Sequence, residues 1–533
     1  MSKQDGGQEL ISRRALLSMI GKVAGGSAMY TAMNAMGFAA ESPYAGRLNL
    51  QGAPKGTTIL VLGAGVTGLV AAFELRNAGY QVKVLEYNNR AGGRAWTLRG
   101  GDEYTELGGF TQRCEFDKGL YINPGPWRIP YHHYGILDYA KRLGVPLEPF
   151  IQVNYNAYLH SKKAYGGVPQ RFRHVQTDYQ GHVAELLSKA VNKNQLDQAV
   201  TTEDKEKLLA SLRSWGALDK DNRYLASHES SGRRGYDVPP GGGLMPKPVP
   251  SQPLALSELL QSGLWAHLAQ GNDQTHHSAI FQPVGGMDQI AQAIYRQVAD
   301  LVQFNAKVTK IEQSERGVTV SYTDSAGGNL QQTKADWCVC TIPLSILSQI
   351  DITVGAAMLD AIQAVPYEAS VKVGLQFKRR FWEQDDSIYG GISYTDMPIQ
   401  MVSYPSTGYG SPGKGVMLGA YIWGPNAYEF TSLEPKERVR LAVHYGSKIH
   451  PQYLQEFETG VAVGWHRVPW TNGCFGNWSE AARTQHYKNL CQIDGRIVLA
   501  GEHASLIPAW QEGAVLSAHD AISRLHAQIK SKA

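Results

Sequence analysis

Near the start of the chain, the pattern of apolar and polar positions predicts one compact β-α-β unit. Residues 57–63, TTILVLG, are largely apolar and β-branched, which favours a buried parallel strand. The next segment, LVAAFELRNAG (69–79), has the apolar spacing of a helix and ends in glycine, a common helix stop. QVKVLE (81–86) then predicts a second strand.

Other stretches carry equally clear patterns. Residues 302–322 alternate between apolar and polar, which predicts paired strands. Near the end of the chain, the spacing of Val515, Ala518, Ile522 and Leu525 predicts an amphipathic helix. Cys338 and Cys340 alternate in an apolar run, so they are expected to share one face of a buried strand. Residues 236–253 are rich in proline and glycine and predict a loop.

The junction between the first strand and its helix carries a phosphate-binding pattern, Gly63-Ala64-Gly65-Val66-Thr67-Gly68. Glycines allow the backbone to approach a pyrophosphate at a helix N-terminus, where free N–H groups favour anions. Glu86 ends the second strand, where a carboxylate can accept hydrogen bonds from a ribose diol. A GxGxxG pattern alone is weak evidence for nucleotide binding. The strand, glycine loop, helix, second strand and terminal acid together predict a dinucleotide site.

Composition and charge narrow the class of protein. At 533 residues the chain is expected to form two or three domains. Its net charge of +4 predicts neither nucleic-acid binding nor a polybasic membrane surface, and its five cysteines lack metal-binding spacing. Residues 1–40 contain an Arg-Arg pair, a short apolar run and small residues, which predicts a twin-arginine export signal. No later apolar run has the ~18 residues of a membrane-spanning helix.

Three further segments carry a resemblance to a known family. Residues 86–94, EYNNRAGGR, resemble the ExxxRxGGR extension of the flavin amine oxidase superfamily, and 106–109, ELGG, resemble its following glycine pair. GPWRIPYHHYGILDYAKRLGV (125–145) resembles a segment of the L-amino acid oxidases, which are the most similar branch. The resemblance covers nearly the whole chain after residue 55. It implies bound FAD, with no metal.

The resemblance also implies an architecture: a Rossmann-like α/β FAD domain, an inserted mixed β-sheet substrate domain and a helical insertion. The FAD domain is expected in three pieces, 55–112, 278–348 and 471–527. The substrate domain is expected at 113–165 and 349–470, and the helical insertion at 166–277. In relatives the insertion forms the access channel and a dimer contact, which implies a homodimer or a higher homo-oligomer.

Carried over residue by residue, the resemblance assigns FAD contacts to positions in all three pieces. These are Gly63, Ala64, Gly65, Thr67, Gly68, Glu86, Tyr87, Arg90, Gly92, Gly93, Arg94, Gly108, Gly109, Val308, Gly501, Glu502, Trp510, Gln511, Gly513 and Ala514. Cys474 lies where monoamine oxidases carry a flavin-linked cysteine. A buried, unreactive thiol is the favoured interpretation of Cys474.

On the substrate side, the resemblance assigns the grip on an α-carboxylate to Arg128, since a guanidinium can donate two parallel hydrogen bonds. Arg113 is a rival cation, because the link between the glycine pair and Arg128 is longer than in relatives. Tyr404 is assigned to the carboxylate as well, and Trp510 with Ala509 to the wall of the site. Lys372 corresponds to the lysine that assists oxygen reduction.

The implied activity is oxidative deamination of L-amino acids to 2-oxo acids, ammonia and hydrogen peroxide, with molecular oxygen as co-substrate. Two alternatives on the same fold stay open: an amine or polyamine oxidase, and an amide-forming amino acid monooxygenase. A flavin-binding protein without catalysis is a third. The sequence does not indicate which amino acid side chain is preferred.

Overall fold

The computed structural model describes residues 42–193 and 201–532. The predicted export signal, residues 1–40, lies outside them. The described chain divides into two units, one formed by residues 161–270 and the other by residues 42–160 and 271–532. Across the described residues, no helix combines the length and the apolar character needed to cross a membrane.

A six-stranded sheet organises the nucleotide end of the larger unit. Five strands are parallel and the last is antiparallel to its neighbour. In spatial order they are Val302–Gln303, Gln81–Leu85, Thr58–Leu62, Trp337–Cys340, Ile497–Leu499 and Ile493–Asp494. The predicted β-α-β unit is confirmed, since helix Val66–Asn77 connects the two strands expected from the sequence.

Both faces of this sheet are covered by apolar packing. One core lies against helices Val66–Asn77, Gln289–Val298 and Gln511–Lys532 and contains Trp337 and Val339. Cys338 and Cys340 belong to the core on the opposite face, so the prediction that they share a face is confirmed. Burial on both faces explains why these strands are apolar throughout.

A second sheet lies in the same unit and carries the substrate side. Strand Ser370–Phe377 is fully buried, lies next to the edge strand Phe457–Gly464 and has antiparallel neighbours on both sides. In spatial order the strands are Tyr158–His160, Ile392–Thr395, Met401–Ser403, Gly415–Trp423, Ser370–Phe377 and Phe457–Gly464. Val371, Val373, Leu375 and Phe377 join an apolar core. The alternation of a strand therefore turns Lys372 towards the other face.

Smaller sheets complete this unit. Residues 302–322 form paired strands as predicted, Lys307–Ser314 against Gly317–Thr323. Strand Ile280–Pro283 lies between Ile129–Pro130 and Leu147–Pro149. The remaining strands are Leu98–Arg99, Tyr121–Ile122, Glu103–Thr105, Thr111–Arg113, Gln331–Ala335 and Asp351–Ile352. The remaining helices of four residues or more are Tyr134–Arg142, Leu344–Leu347, Ala356–Gln363, Phe381–Gln384, Pro425–Thr431, Pro435–Gly446, Tyr453–Glu456 and Glu480–Cys491.

The smaller unit, residues 161–270, is mainly helical and overlaps the predicted insertion at 166–277. Its helices are Phe172–Asn192, Thr202–Gly216, His228–Arg234 and Leu256–Ser262. The interpretation of 236–253 as loop alone is wrong, because a two-stranded ribbon, Tyr236–Val238 with Val249–Pro250, lies within it. The two strands of that ribbon are too short to show a period-two pattern of apolar residues, and prolines and glycines surround them.

Candidate functional site

The carboxyl ends of the parallel strands bring the predicted cofactor residues to one edge of the first sheet. Gly63 follows the central strand and has a φ of +103°, a conformation that favours glycine. A Cβ at Gly63 would lie 2.6 Å from Oγ1 of Thr341, which follows the neighbouring strand. Glu86 follows the strand on the other side, and its Oε2 accepts a 2.6 Å hydrogen bond from the Ala64 N–H. Ligands of such sheets bind at this edge.

The glycine loop leads directly into the start of helix Val66–Asn77. No side chain caps this helix, and its first turn contains no acidic residue. Its first N–H groups therefore have the free donors and the positive dipole end that bind phosphate. Gly68 is required for another reason, since a Cβ there would lie 1.9 Å from the carbonyl oxygen of Gly63.

The ExxxRxGGR segment packs against this loop. The Gly92 N–H donates a 2.8 Å hydrogen bond to the Ala64 carbonyl, and a Cβ on Gly93 would lie 3.1 Å from the Gly65 Cα. Arg90 donates to the Gly93 carbonyl and lies 4.3 Å from the centre of the Trp96 ring. Burial lowers the pKa of the Arg90 guanidinium to about 10. The structure thus brings the first two predicted cofactor segments together.

Arg94 and Glu502 join these segments to the C-terminal piece. Nη1 of Arg94 donates a 2.7 Å hydrogen bond to Oε1 of Glu502 and a 2.8 Å hydrogen bond to the Cys474 carbonyl. Glu502 also accepts hydrogen bonds from the backbone N–H groups of Gly476 and Ala509. One buried carboxylate therefore fixes three separate stretches of chain around the site.

The N-terminus of helix Gln511–Lys532 contains the clearest unsatisfied polar group. Both side-chain polar atoms of Gln511 are buried and have no hydrogen-bond partner within the described part of the chain. Such a group indicates a missing polar ligand. The uncapped helix at the glycine loop fits the phosphates of a dinucleotide, and Gln511 offers a donor and an acceptor to a polar ring. These residues fit FAD.

The other predicted cofactor residues have varied surroundings. Tyr87 stacks on Trp470 with ring centres 4.9 Å apart, and Val308 is buried in its strand. Gly513 is explained by its own chain, since a Cβ there would lie 2.3 Å from the Ile507 carbonyl oxygen. Thr67, Gly501 and Ala514 are buried. For these residues, cofactor contact stays a prediction.

Gly108 and Gly109 form the exposed turn between strands Glu103–Thr105 and Thr111–Arg113. A Cβ on Gly108 would lie 2.8 Å from a guanidinium nitrogen of Arg467. The structure does not show them packed on the glycine loop, so their contact with the cofactor also stays a prediction.

Arg128, the predicted carboxylate-binding residue, is only 6% exposed. Its guanidinium carbon lies 5.1 Å from the ring centre of Trp127 and 5.7 Å from that of Trp510. Nη2 lies 2.7 Å from Nε2 of His276, and Nε has no partner among the described residues. A buried cation with an unsatisfied donor is suited to an anionic ligand.

Lys372 lies close by and is 2% exposed. Its Nζ donates hydrogen bonds to the carbonyl oxygens of Gly125 (2.6 Å) and Asn123 (3.3 Å) and lies 4.4 Å from the ring centre of Tyr421. Burial is the main cause that lowers the pKa of Lys372 to about 7; the nearby Cys474 thiol opposes this shift and the charge of Arg128 adds to it. The site therefore holds two cations in an aromatic environment, an arrangement that an anion would stabilise.

Tyr404, which was also assigned to the carboxylate, is buried in the core of the second sheet. Its hydroxyl forms hydrogen bonds with Ser393 and His450, and its contact with a substrate carboxylate stays a prediction. Tyr421 is the aromatic residue that the sequence interpretation missed. The antiparallel register that pairs it with Lys372 could not be read from a single strand, although its position in an apolar run was visible.

The rival cation Arg113 lies on the surface. Its side chain is 65% exposed and pairs with Glu103 at 3.3 Å. Ala509 is exposed and has a φ of +67°, next to the half-buried Trp510. The geometry therefore favours Arg128 over Arg113 as the anion-binding residue.

A cleft of about 660 Å³, open to solvent, lies on the same face of the second sheet as Lys372. Trp127 and Asn123 line it near the two cations, and Tyr404, Phe150 and Arg380 line other parts. The cleft thus shares Asn123 and Trp127 with the surroundings of Lys372.

Comparison with known proteins shows which proteins this chain is similar to. The sequence model of the family described as "Flavin containing amine oxidoreductase" matches residues 66–525. The chain is 30% identical over 483 residues to an L-amino-acid oxidase of Siganus canaliculatus, covering 88% of this chain and 85% of that protein. It is 28% identical over 473 residues to an L-amino-acid oxidase of Vipera ammodytes ammodytes, covering 86% and 90%.

A solved structure, cyclohexylamine oxidase from Brevibacterium oxydans IH-35A, superposes with a TM-score of 0.58 at 16% identity. The match covers 90% of this chain and all of that one. It confirms the predicted fold class, the mixed α/β fold of the amine oxidases.

Proposed function

Because the chain belongs to the flavin-containing amine oxidoreductase family, we propose that it is an FAD-dependent L-amino acid oxidase. The observation that carries the proposal is the buried Arg128 between Trp127 and Trp510, with Lys372 close by. The substrate would be a free L-amino acid, and the products would be a 2-oxo acid, ammonia and hydrogen peroxide.

Arg128 would bind and orient the substrate. A guanidinium that donates two hydrogen bonds to a planar carboxylate fixes both its position and its rotation. The rings of Trp127 and Trp510 confine the guanidinium between apolar surfaces, which strengthens its interaction with an anion. With the carboxylate held, one enantiomer directs its α-hydrogen into the site, so L and D substrates are distinguished.

Lys372 would act at the oxygen step. With a pKa of about 7, the ammonium is partly charged near neutral pH and is held by the Gly125 and Asn123 carbonyls. A cation in this position stabilises the negative charge that develops on oxygen as it is reduced. The carboxylate bound by Arg128 would favour the charged form of Lys372, because it adds a negative charge to a site with two cations.

When bound, FAD would accept two electrons from the substrate and pass them to oxygen. The uncapped helix after Gly65 and the Ala64 and Gly92 backbone would hold its phosphates, and Glu86 its ribose. Gln511 would hydrogen bond to its ring system. The substrate loses its α-hydrogen with two electrons and becomes an imino acid, which water hydrolyses to oxo acid and ammonia.

An amine oxidase is the second candidate, and the likeness to cyclohexylamine oxidase is the observation that favours it. Two buried cations beside the substrate position count against it, since a simple amine offers them no negative charge. An amide-forming monooxygenase would bind the same substrates and differ in its product.

The decisive experiment is an anaerobic screen in which bleaching of the flavin absorbance is followed with each L-amino acid, its D enantiomer and its decarboxylated amine. We expect bleaching with L-amino acids, followed by peroxide and oxo acid after oxygen is admitted. Bleaching by the amine at equal efficiency would instead indicate an amine oxidase. Amide among the products would indicate the monooxygenase.

We further propose that the protein is exported as a folded holoprotein and forms a homo-oligomer, as the N-terminal sequence pattern and the resemblance imply. Fractionation of cells that express the full chain, with and without an Arg13→Lys, Arg14→Lys change, tests the export. Light scattering of the purified protein tests the oligomer.

A further inference from the structure

We propose that His276 is a positioning residue that holds the Arg128 guanidinium in its carboxylate-binding orientation. This inference rests on the proposed function and adds a residue to its substrate site. His276 was not among the residues indicated by the sequence. It is 3% exposed, and its Nε2 lies 2.7 Å from Nη2 of Arg128.

The direction of this hydrogen bond follows from the chemistry of the two side chains. A guanidinium has donors and no acceptor, so Nη2 of Arg128 donates and Nε2 of His276 accepts. The ring proton of a neutral His276 must then be on Nδ1. That nitrogen lies 3.6 Å from Oδ2 of Asp273, a distance at which the carboxylate favours this tautomer electrostatically. Asp273, His276 and Arg128 thus form a chain of defined polarity.

The backbone explains why residues so distant in sequence meet. Arg128 immediately precedes strand Ile129–Pro130, which pairs antiparallel with strand Ile280–Pro283. The short helix Gln274–His276 leads into that partner strand, and its His276 N–H donates a 2.7 Å hydrogen bond to the Asp273 carbonyl. The paired strands and this turn together fix the imidazole beside the guanidinium.

The hydrogen bond leaves part of the guanidinium for a ligand. Nε of Arg128 is buried and has no partner in the part of the chain that the structure describes, whereas Nη2 is held by His276. The Trp127 and Trp510 rings contact the guanidinium without fixing its rotation, because stacking is tolerant of in-plane movement. His276 supplies the directional contact that sets this rotation before a carboxylate binds.

The test compares binding of benzoate, a planar carboxylate, with binding of neutral benzamide to the FAD-loaded protein, followed by the change in flavin absorbance. His276→Phe keeps the ring volume and removes the acceptor. We expect it to weaken benzoate binding about tenfold, as loss of a hydrogen bond to a charged group predicts, and to leave benzamide unchanged. His276→Gln, which retains an acceptor oxygen, should restore benzoate affinity to within about threefold of the wild type.

His277→Leu is the matched control, since His277 lies next to His276, is exposed and forms a local hydrogen bond with the Asn272 carbonyl. It should bind both probes as the wild type does. With an amino acid substrate, His276→Phe should raise KM about tenfold and change kcat much less.

A double-mutant cycle with Arg128→Met separates positioning from general damage. If His276 acts through Arg128, His276→Phe has no further effect on benzoate affinity once Arg128→Met is present. Full additivity, or wild-type benzoate affinity in His276→Phe, overturns the positioning role. Should His276→Phe fail to fold, His276→Gln and its cycle with Arg128→Met decide the same question. If Arg128→Met alone leaves benzoate binding intact, the proposed function fails instead.

Discussion

The Nζ of Lys372 donates a 2.6 Å hydrogen bond to the carbonyl oxygen of Gly125, three residues before Arg128. Lys372 lies on the buried strand Ser370–Phe377 of the substrate sheet, and Gly125 belongs to the irregular segment that crosses it. A Cβ on Gly374 of the same strand would lie 2.9 Å from Ile122, so this segment lies flat on the sheet. One hydrogen bond thus links Lys372, which is expected to assist oxygen reduction, to the segment that carries Arg128, the proposed carboxylate-binding residue.

Replacing Lys372 by methionine should slow reoxidation of the flavin by oxygen at least tenfold, because a buried cation that stabilises the reduced oxygen is lost. Anaerobic reduction by substrate should change much less. Stopped-flow absorbance measures the two steps separately. Lys378→Met, at the exposed end of the same stretch, is the matched control and should leave both rates unchanged. Equal slowing of both steps would argue against a role in the oxygen step.

Stability should depend on pH through the same lysine. Burial lowers the pKa of folded Lys372 to about 7, whereas the unfolded chain keeps the ordinary value of 10.5. Between these values the unfolded state binds a proton that the folded state lacks, so this group makes the free energy of unfolding rise with pH. The rise between pH 7 and 9 amounts to about 2 kcal/mol. Denaturant titrations of the apoprotein should show it in the wild type and lose it in Lys372→Met.

Loss of the Glu502 carboxylate should weaken both the fold and cofactor retention. Glu502→Ala leaves the half-buried Arg94 without its ion-pair partner and leaves the Gly476 and Ala509 N–H groups without their acceptor. Breaking such a pair costs about 3–5 kcal/mol. We expect a lower Tm and a smaller ratio of flavin to protein after gel filtration. Glu103→Ala removes an exposed ion pair with Arg113 and should change neither quantity measurably.

FAD should be released when the protein is precipitated with acid. Burial raises the pKa of the Cys474 thiol to about 11, so little thiolate is available near neutral pH for a bond to the flavin. The yellow colour should therefore appear in the supernatant, and Cys474→Ser should retain as much FAD as the wild type. Colour that stays with the precipitate, and is lost in Cys474→Ser, would show a covalent link.

The nucleotide end could be predicted from the sequence because its signals are local. Strand Thr58–Leu62, the glycine loop and the following helix are contiguous, and Gly63 and Gly68 have steric reasons that the chain itself supplies. Buried parallel strands also leave an uninterrupted apolar pattern, as at Cys338 and Cys340. At the nucleotide end, the periodicity of apolar residues and the residue types at the turns were therefore sufficient to predict the fold.

The substrate side could be predicted only in part, because its geometry depends on contacts between distant segments. Tyr421 reaches Lys372 through the register of two antiparallel strands, and His276 reaches Arg128 through the pairing of two short strands. Neither pairing register can be deduced from the sequence of one strand alone. The hydroxyl of Tyr404 is bonded to His450, a partner far along the chain that local sequence does not reveal.

The strongest test of the site is Arg128→Met, which keeps an unbranched apolar stem and removes the charge. For an L-amino acid, kcat/KM should fall about 100-fold, since a charge-assisted, two-point hydrogen bond to the carboxylate is lost. We expect the decarboxylated amine to be a poor substrate of the wild type, and the substitution should affect it little because the amine has no carboxylate. Arg113→Met should behave as the wild type, given that Arg113 is 65% exposed and pairs with Glu103. A fall in Arg113→Met alone would instead make Arg113 the carboxylate-binding residue, and an equal fall for acid and amine would show that Arg128 serves the fold rather than the carboxylate. Steady-state peroxide release with both substrates measures each of these outcomes.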